Sequence, residues 1–270
     1  MVTNDKEGIH VRSLYIVTSL LIGILISGCQ MTPTKLPEGV TPVAATWLYG
    51  RYTLPRDVTI KGASQTYQQT AGEPTWTDLA GSTVRPGNKV PVVLYMHGCK
   101  GFSRQGERFR DLMTSEGYAF FAPDSFQRPG RRQCGKQGRL QERVSLRKEE
   151  VQYAFEQIRN LSWVDQSRVI LMGFSEGGNT TDNWSEPGFA AHIIMGSACT
   201  LVGGSPAAPL GIPVLAVVGS NDEYRPGKSC DIERTVGGSQ SIVLPGVGHS
   251  VAQYPETQKA IRHFLKRCCT

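Results

Sequence analysis

Ser175 stands among glycines in the run Gly173-Phe174-Ser175-Glu176-Gly177-Gly178. That spacing is the G-x-S-x-G pattern of a nucleophile elbow, a sharp strand-to-helix turn that exposes a serine hydroxyl. Such a turn forces the serine into a strained backbone conformation, and side chains at Gly173 and Gly177 would collide with the neighbouring turn. A serine hydroxyl is a weak nucleophile, so it needs a base within reach, and the base needs a carboxylate to orient it. Asp222 follows 47 residues later in Gly219-Ser220-Asn221-Asp222, and His249 another 27 residues on in Gly246-Val247-Gly248-His249-Ser250. The chain order nucleophile, acid, histidine is one in which such triads occur. The competitors fit less well. His263 falls in a helix-like segment as a surface or packing residue, and His192 lies inside an apolar strand. Glu223 merely adjoins Asp222, and Asp231 and Asp182 sit on less suitable segments.

Acyl transfer also requires two backbone N–H groups aimed where an oxyanion develops. One is expected from Glu176, directly after the nucleophile, and the other from Cys99 in the loop His97-Gly98-Cys99-Lys100-Gly101. Chemistry of this kind needs no metal or cofactor. A zinc site is disfavoured because no CxxC pair with a nearby histidine occurs.

Positioning these groups requires strands that end at a common edge. Short apolar runs at Val90–Met96, Tyr118–Ala122, Arg168–Met172, Ala190–Met195, Val214–Val218 and Ser241–Leu244 read as buried strands. Between them, Glu107–Glu116, Glu142–Asn160, Gly177–Trp184 and Gln253–Lys266 have helical spacing. Val144, Val151, Ala154, Phe155 and Ile158 form one stripe of the second. Alternation of this kind implies an α/β fold, a mostly parallel sheet with helices on both faces. Ser175, Asp222 and His249 then all follow strands, at the edge where parallel sheets gather their sites. Upstream, Trp47–Leu54 and Asp57–Ile60 alternate like strands, and the polar, turn-rich Ala63–Gly87 is expected to hold early antiparallel strands.

These motifs together resemble the dienelactone hydrolase family of the α/β-hydrolase superfamily. The likeness runs from about Val90 to the C-terminus through the His-Gly-x-x-Gly loop, Tyr118-Ala119-Phe120-Phe121-Ala122-Pro123-Asp124-Ser125, the elbow, Gly219-x-x-Asp222 and Gly248-His249. It implies the α/β-hydrolase fold and hydrolysis of a small-molecule carboxylic ester or lactone. Members often carry a cysteine nucleophile, so Ser175 shifts the expectation toward general esters. Asp124 is expected to cap a turn. The rival readings are an envelope peptidase or acyltransferase with the same triad, and a non-catalytic envelope-binding lipoprotein.

The remaining features concern location. The chain has 270 residues, 39% hydrophobic and 19% charged, with a net charge of +6, which suits one globular catalytic domain. No recognition motif accompanies the charge, so nucleic acid is not an expected partner. Leu14–Ile26 is apolar but shorter than the ~20 residues of a membrane span, and it leads into Ser27-Gly28-Cys29, as in a secretory signal. Leu25-Ile26-Ser27-Gly28-Cys29 resembles the lipobox of bacterial lipoproteins. That resemblance implies a signal peptide over 1–28, lipidation at Cys29, a Pro/Thr-rich tether over 29–43 and a domain over 44–270. Gln30, where Asp would favour retention, points to the outer membrane facing the periplasm. An oxidising compartment permits disulfides. Cys99 with Cys134 and Cys199 with Cys230 are the suggested pairs, with Cys268 and Cys269 either bridged or unpaired. The stretch Arg128 to Lys148 gathers eight basic residues. It reads first as a solvated loop and helix face, and more sharply as an electrostatic funnel for an anionic substrate or lipid.

Overall fold

The structure is a computed structural model, described over residues 36–60, 62, 65–68, 83–131, 140–224 and 227–269. The expected signal peptide, Cys29 and Cys134 lie outside these residues. Helix α1 (Pro42–Leu48) opens on Thr41, whose hydroxyl accepts the Ala44 N–H, with Pro42 in the first turn. That pairing is favoured because proline lacks the N–H a first turn cannot use, and the capping oxygen satisfies one that remains. Trp47, expected in a strand, is therefore helical and packs edge-on against Tyr52 and Phe121. The strand itself, β1, is confined to Arg51–Leu54. Of the Asp57–Ile60 segment, Arg56–Val58 is a single 3-10 turn and Thr59 bridges Val84.

Seven further strands follow: β2 (Gln65–Gln68), β3 (Val90–Met96), β4 (Ala119–Ala122), β5 (Val164–Phe174), β6 (Ala191–Met195), β7 (Val214–Gly219) and β8 (Gln240–Leu244). They form one sheet in the order β2-β1-β4-β3-β5-β6-β7-β8. Strand β1 is antiparallel to both neighbours, and every pairing from β4 to β8 is parallel. Among the described residues, four more α-helices accompany them: α2 (Arg104–Ser115), α3 (Leu140–Arg159), α4 (Glu176–Asp182) and, after the last strand, α5 (Pro255–Cys268).

Side chains alternate across a strand, so β3 shows which helices cover which face. Val93 and Tyr95 share a core with Phe109, Leu112 and Met113 of α2 and Ile261, Phe264 and Leu265 of α5. Val90, Val92, Leu94 and Met96 meet Val151, Ala154, Phe155 and Ile158 of α3, together with Trp47. Helices thus cover both faces, and the all-buried β3 follows from being sandwiched. The chain leaves β3 for β4 on one side and enters β5 on the other. The loops after β3 and β5 therefore flank the point where strand order reverses, and a crevice opens there outside the carboxyl ends of the strands.

Two disulfides are formed among the described residues, Cys199–Cys230 and Cys268–Cys269. Cys99 is also disulfide-bonded.

Candidate active site

Strand β5 ends at Phe174 and α4 begins at Glu176, so the whole turn falls on Ser175, which adopts φ 58° and ψ −116°. A non-glycine residue in that region costs on the order of 1–3 kcal/mol and persists only where its surroundings over-determine it. They do so here. Ser175 N–H donates to Met195 O at 2.8 Å, and Ser175 O accepts from Asn179 N at 2.9 Å and from Asn179 Nδ2 at 3.0 Å. The flanking glycines are sterically required: a Cβ on Gly173 would lie 2.0 Å from Gly177 O, and one on Gly177 1.8 Å from Met96 O. Strands β3 and β5 and the start of α4 consequently meet backbone to backbone beneath the serine.

Asp222 lies after β7 and His249 after β8. Asp222 is 0% exposed, with Oδ2 2.7 Å from His249 Nδ1 and Oδ1 accepting the Tyr224 N–H at 2.8 Å. A carboxylate so held accepts the Nδ1 proton, which leaves Nε2 free to act as a base. The imidazole packs against Phe174, with ring centroids 4.9 Å apart. A Cβ on Gly196, the residue after β6, would lie 3.1 Å from His249 Cε1. His249 is thus seated beside the elbow, although no hydrogen bond joins it to the Ser175 hydroxyl in this structure. Catalytic contacts of this kind commonly tighten only when substrate binds.

The loop after β3 reaches the nucleophile. A Cβ on Gly98 would stand 3.5 Å from Ser175 Cβ, and Cys99 is the next residue of this loop. Glu176 is the first residue of α4, where N–H groups have no acceptor within the helix. His97 is internal to this loop rather than a competing base. Ser125 N–H donates to its Nε2 at 3.1 Å, so Nδ1 carries the proton given to Gly98 O at 2.7 Å. Burial, reinforced by the Arg147 charge, holds its pKa well below the ordinary histidine value and keeps this neutral form. Asp124 caps the 3-10 turn Ser125–Gln127 by accepting the Phe126 N–H. Of the other competitors, His192 is buried and His263 exposed.

Two features escaped sequence reasoning. Tyr224, 59% exposed, sets its ring edge-on to His249 with centroids 4.7 Å apart. Its only sequence signal is its place two residues after Asp222. The second corrects the reading of the Arg128 to Lys148 stretch. Arg131, Arg143 and Arg147 are buried rather than solvated. They converge on the buried carboxylate of Glu176: Arg131 through Nη2, Arg143 Nε at 2.6 Å and Arg147 Nη1 at 3.5 Å. Burial alone would raise the Glu176 carboxyl, but Arg147, Arg131 and Arg143 outweigh it and hold the pKa below the usual glutamate value. The overlooked signal is helical: residues 143, 147, 150, 154 and 158 lie on one face, so the apolar stripe of α3 continues as a charged one.

As for metals, the one grouping of possible ligands among the described residues is Asp182 with Cys199 and Cys230. Both of its sulfurs are already committed to a disulfide.

The model of the dienelactone hydrolase family matches residues 79–261. Among solved structures, the chain resembles esterase PE8 at 19% identity over 67% of this chain and 94% of that one, TM-score 0.46. It also resembles Est1E from Butyrivibrio proteoclasticus at 13% identity over 68% and 91%, TM-score 0.48. A third is a phospholipase/carboxylesterase from Dyadobacter fermentans, at 14% identity over 64% and 88%, TM-score 0.46. No curated protein matches the sequence.

Proposed function

Because the chain belongs to the dienelactone hydrolase family of α/β-hydrolases, we propose that it cleaves carboxylic esters or lactones through an acyl-enzyme on Ser175. The observation that carries this reading is the 2.7 Å Asp222–His249 hydrogen bond beside a serine held at φ 58°.

His249 Nε2 takes the Ser175 proton as Oγ attacks the carbonyl carbon. Asp222 accepts from Nδ1, keeps the ring in the useful tautomer and stabilises the imidazolium. The carbonyl oxygen becomes an anion, which the N–H groups of Cys99 and Glu176 hold. A preorganised donor of this kind is worth about 10²–10³ in kcat. His249 returns its proton to the leaving alcohol, and water repeats the sequence on the acyl-enzyme. The exposed Tyr224 ring beside His249 is placed to flank the leaving group.

Purified protein beginning after Cys29 is to be assayed on esters of graded chain length and charge, and with a fluorophosphonate probe. Turnover and covalent labelling are expected of the wild type, with both lost in Ser175→Ala while the far-ultraviolet circular dichroism is unchanged. Hydrolysis surviving in Ser175→Ala would sink the assignment.

A further inference from the structure

Glu176 directly follows the candidate nucleophile, and its side chain is buried among cations. Burying ions costs several kcal/mol each, and an ion pair often repays no more than well-packed apolar groups would. The cluster is therefore weak evidence for stability, and its geometry is the more informative property.

Arg147 is 0% exposed and sits at its centre. Its Nη1 donates to the carbonyl oxygen of His97, at the root of the loop bearing Gly98 and Cys99, and the same nitrogen lies 3.5 Å from Glu176 Oε1. Its Nε is 3.7 Å from Glu150 Oε2. Glu150 accepts the Ser125 hydroxyl, and Ser125 N–H holds the His97 ring. A closed circuit thus runs from Arg147 through the His97 backbone and ring to Ser125, Glu150 and back. One guanidinium ties together the two backbone segments from which the oxyanion donors come. Arg128 approaches Glu149 and Glu150 as well.

We propose that Arg147 is a positioning residue for the oxyanion hole. It fixes the spacing between the Cys99 and Glu176 N–H groups and acts on the transition state rather than on substrate binding. The proposal rests on the esterase reading. It goes beyond that reading by assigning a function to an arginine that touches neither substrate nor triad. Its Nη1 reaches both the His97 carbonyl and Glu176 while Nε lies toward Glu150, so a lysine would keep a charge but lose this multi-atom arrangement.

Arg147→Met and Arg147→Lys are to be compared with wild type for kcat, KM and affinity for a trifluoromethyl ketone, which forms the tetrahedral adduct. A displacement of about 1 Å at a catalytic group costs roughly 10²-fold. The expected result is a kcat loss of about 10- to 100-fold at unchanged KM, with ketone affinity falling in parallel. Arg131→Met, which removes a Glu176 partner but leaves the His97 carbonyl held, should lose less. Wild-type kcat in either folded Arg147 variant, or a raised KM at unchanged kcat, overturns the proposal. Should the methionine variant fail to fold, the lysine variant retains the buried charge and is read by the same measurements. An active wild type with indifferent Arg147 variants refutes this inference alone. A wild type inert to esters and to the probe refutes the esterase reading, and this inference with it.

Discussion

Two histidines outside the candidate triad, His97 and His192, are buried, and burial is the main force against their charged forms. Burial pushes His192 down to about 3, with Arg234 adding to the effect, and burial with Arg147 lowers His97 well below its ordinary value. Both take up a proton near pH 6.5 when the chain unfolds. Their contribution to stability is therefore complete above about pH 6.5 and declines as pH falls toward the folded values. Glu150 and Asp124, whose pKa values burial raises, act in the opposite sense at lower pH, so the clean test is a difference. Urea unfolding of His192→Leu and wild type between pH 7 and 5 should diverge, with slopes differing by up to about 1.4 kcal/mol per pH unit. Parallel curves would mean that His192 is not held neutral in the folded chain.

At the scale of elements, the candidate acid and base, Asp222 and His249, stand on loops rather than on strands, and loops need anchoring. The Cys199–Cys230 disulfide closes a span of 31 residues and joins the loop after β6 to the loop after β7 that carries Asp222. On the chain-entropy model a closure of this length contributes about 3–4 kcal/mol. The double variant Cys199→Ser/Cys230→Ser should lower the urea midpoint accordingly. Ester turnover should fall only modestly, because Asp222 remains fully buried and bonded to His249. An unchanged midpoint would show that the loops are held by packing alone. Helix α3 shows the same dependence on context in another form. Its C-terminal half packs by apolar burial, whereas Arg143, Arg147 and Glu150 on the same face are internal only because Glu176, His97 and Ser125 receive them.

At the scale of the whole molecule, we propose that the enzyme is tethered by lipid at Cys29 in a bacterial envelope. The support comes from the lipobox-like Leu25-Ile26-Ser27-Gly28-Cys29 and from cysteines paired in disulfides, as an oxidising compartment allows. Among the described residues no helix is long and apolar enough to cross a membrane. Feeding expressing cells an alkynyl fatty acid should label the wild type and leave Cys29→Ser unlabelled and soluble, and equal labelling of the two would refute the tether. The sequence alone was enough for the apolar runs that become strands, the sharp turn at Ser175 and the place of Asp222 and His249 after strands, because these are local: a period of two, glycines flanking one serine, residues at strand ends. It misplaced Trp47, Arg131, Arg143 and Arg147. A charged side chain looks alike on a solvated face and opposite a buried carboxylate, and an aromatic pattern does not reveal whether a helix cap precedes it. Only the packing of α3 over the loop after β3 decides that Arg143 and Arg147 lie inside, since their partners, Glu176 and the His97 carbonyl, come from the turns that follow strands β5 and β3, remote in the chain and adjacent in the sheet.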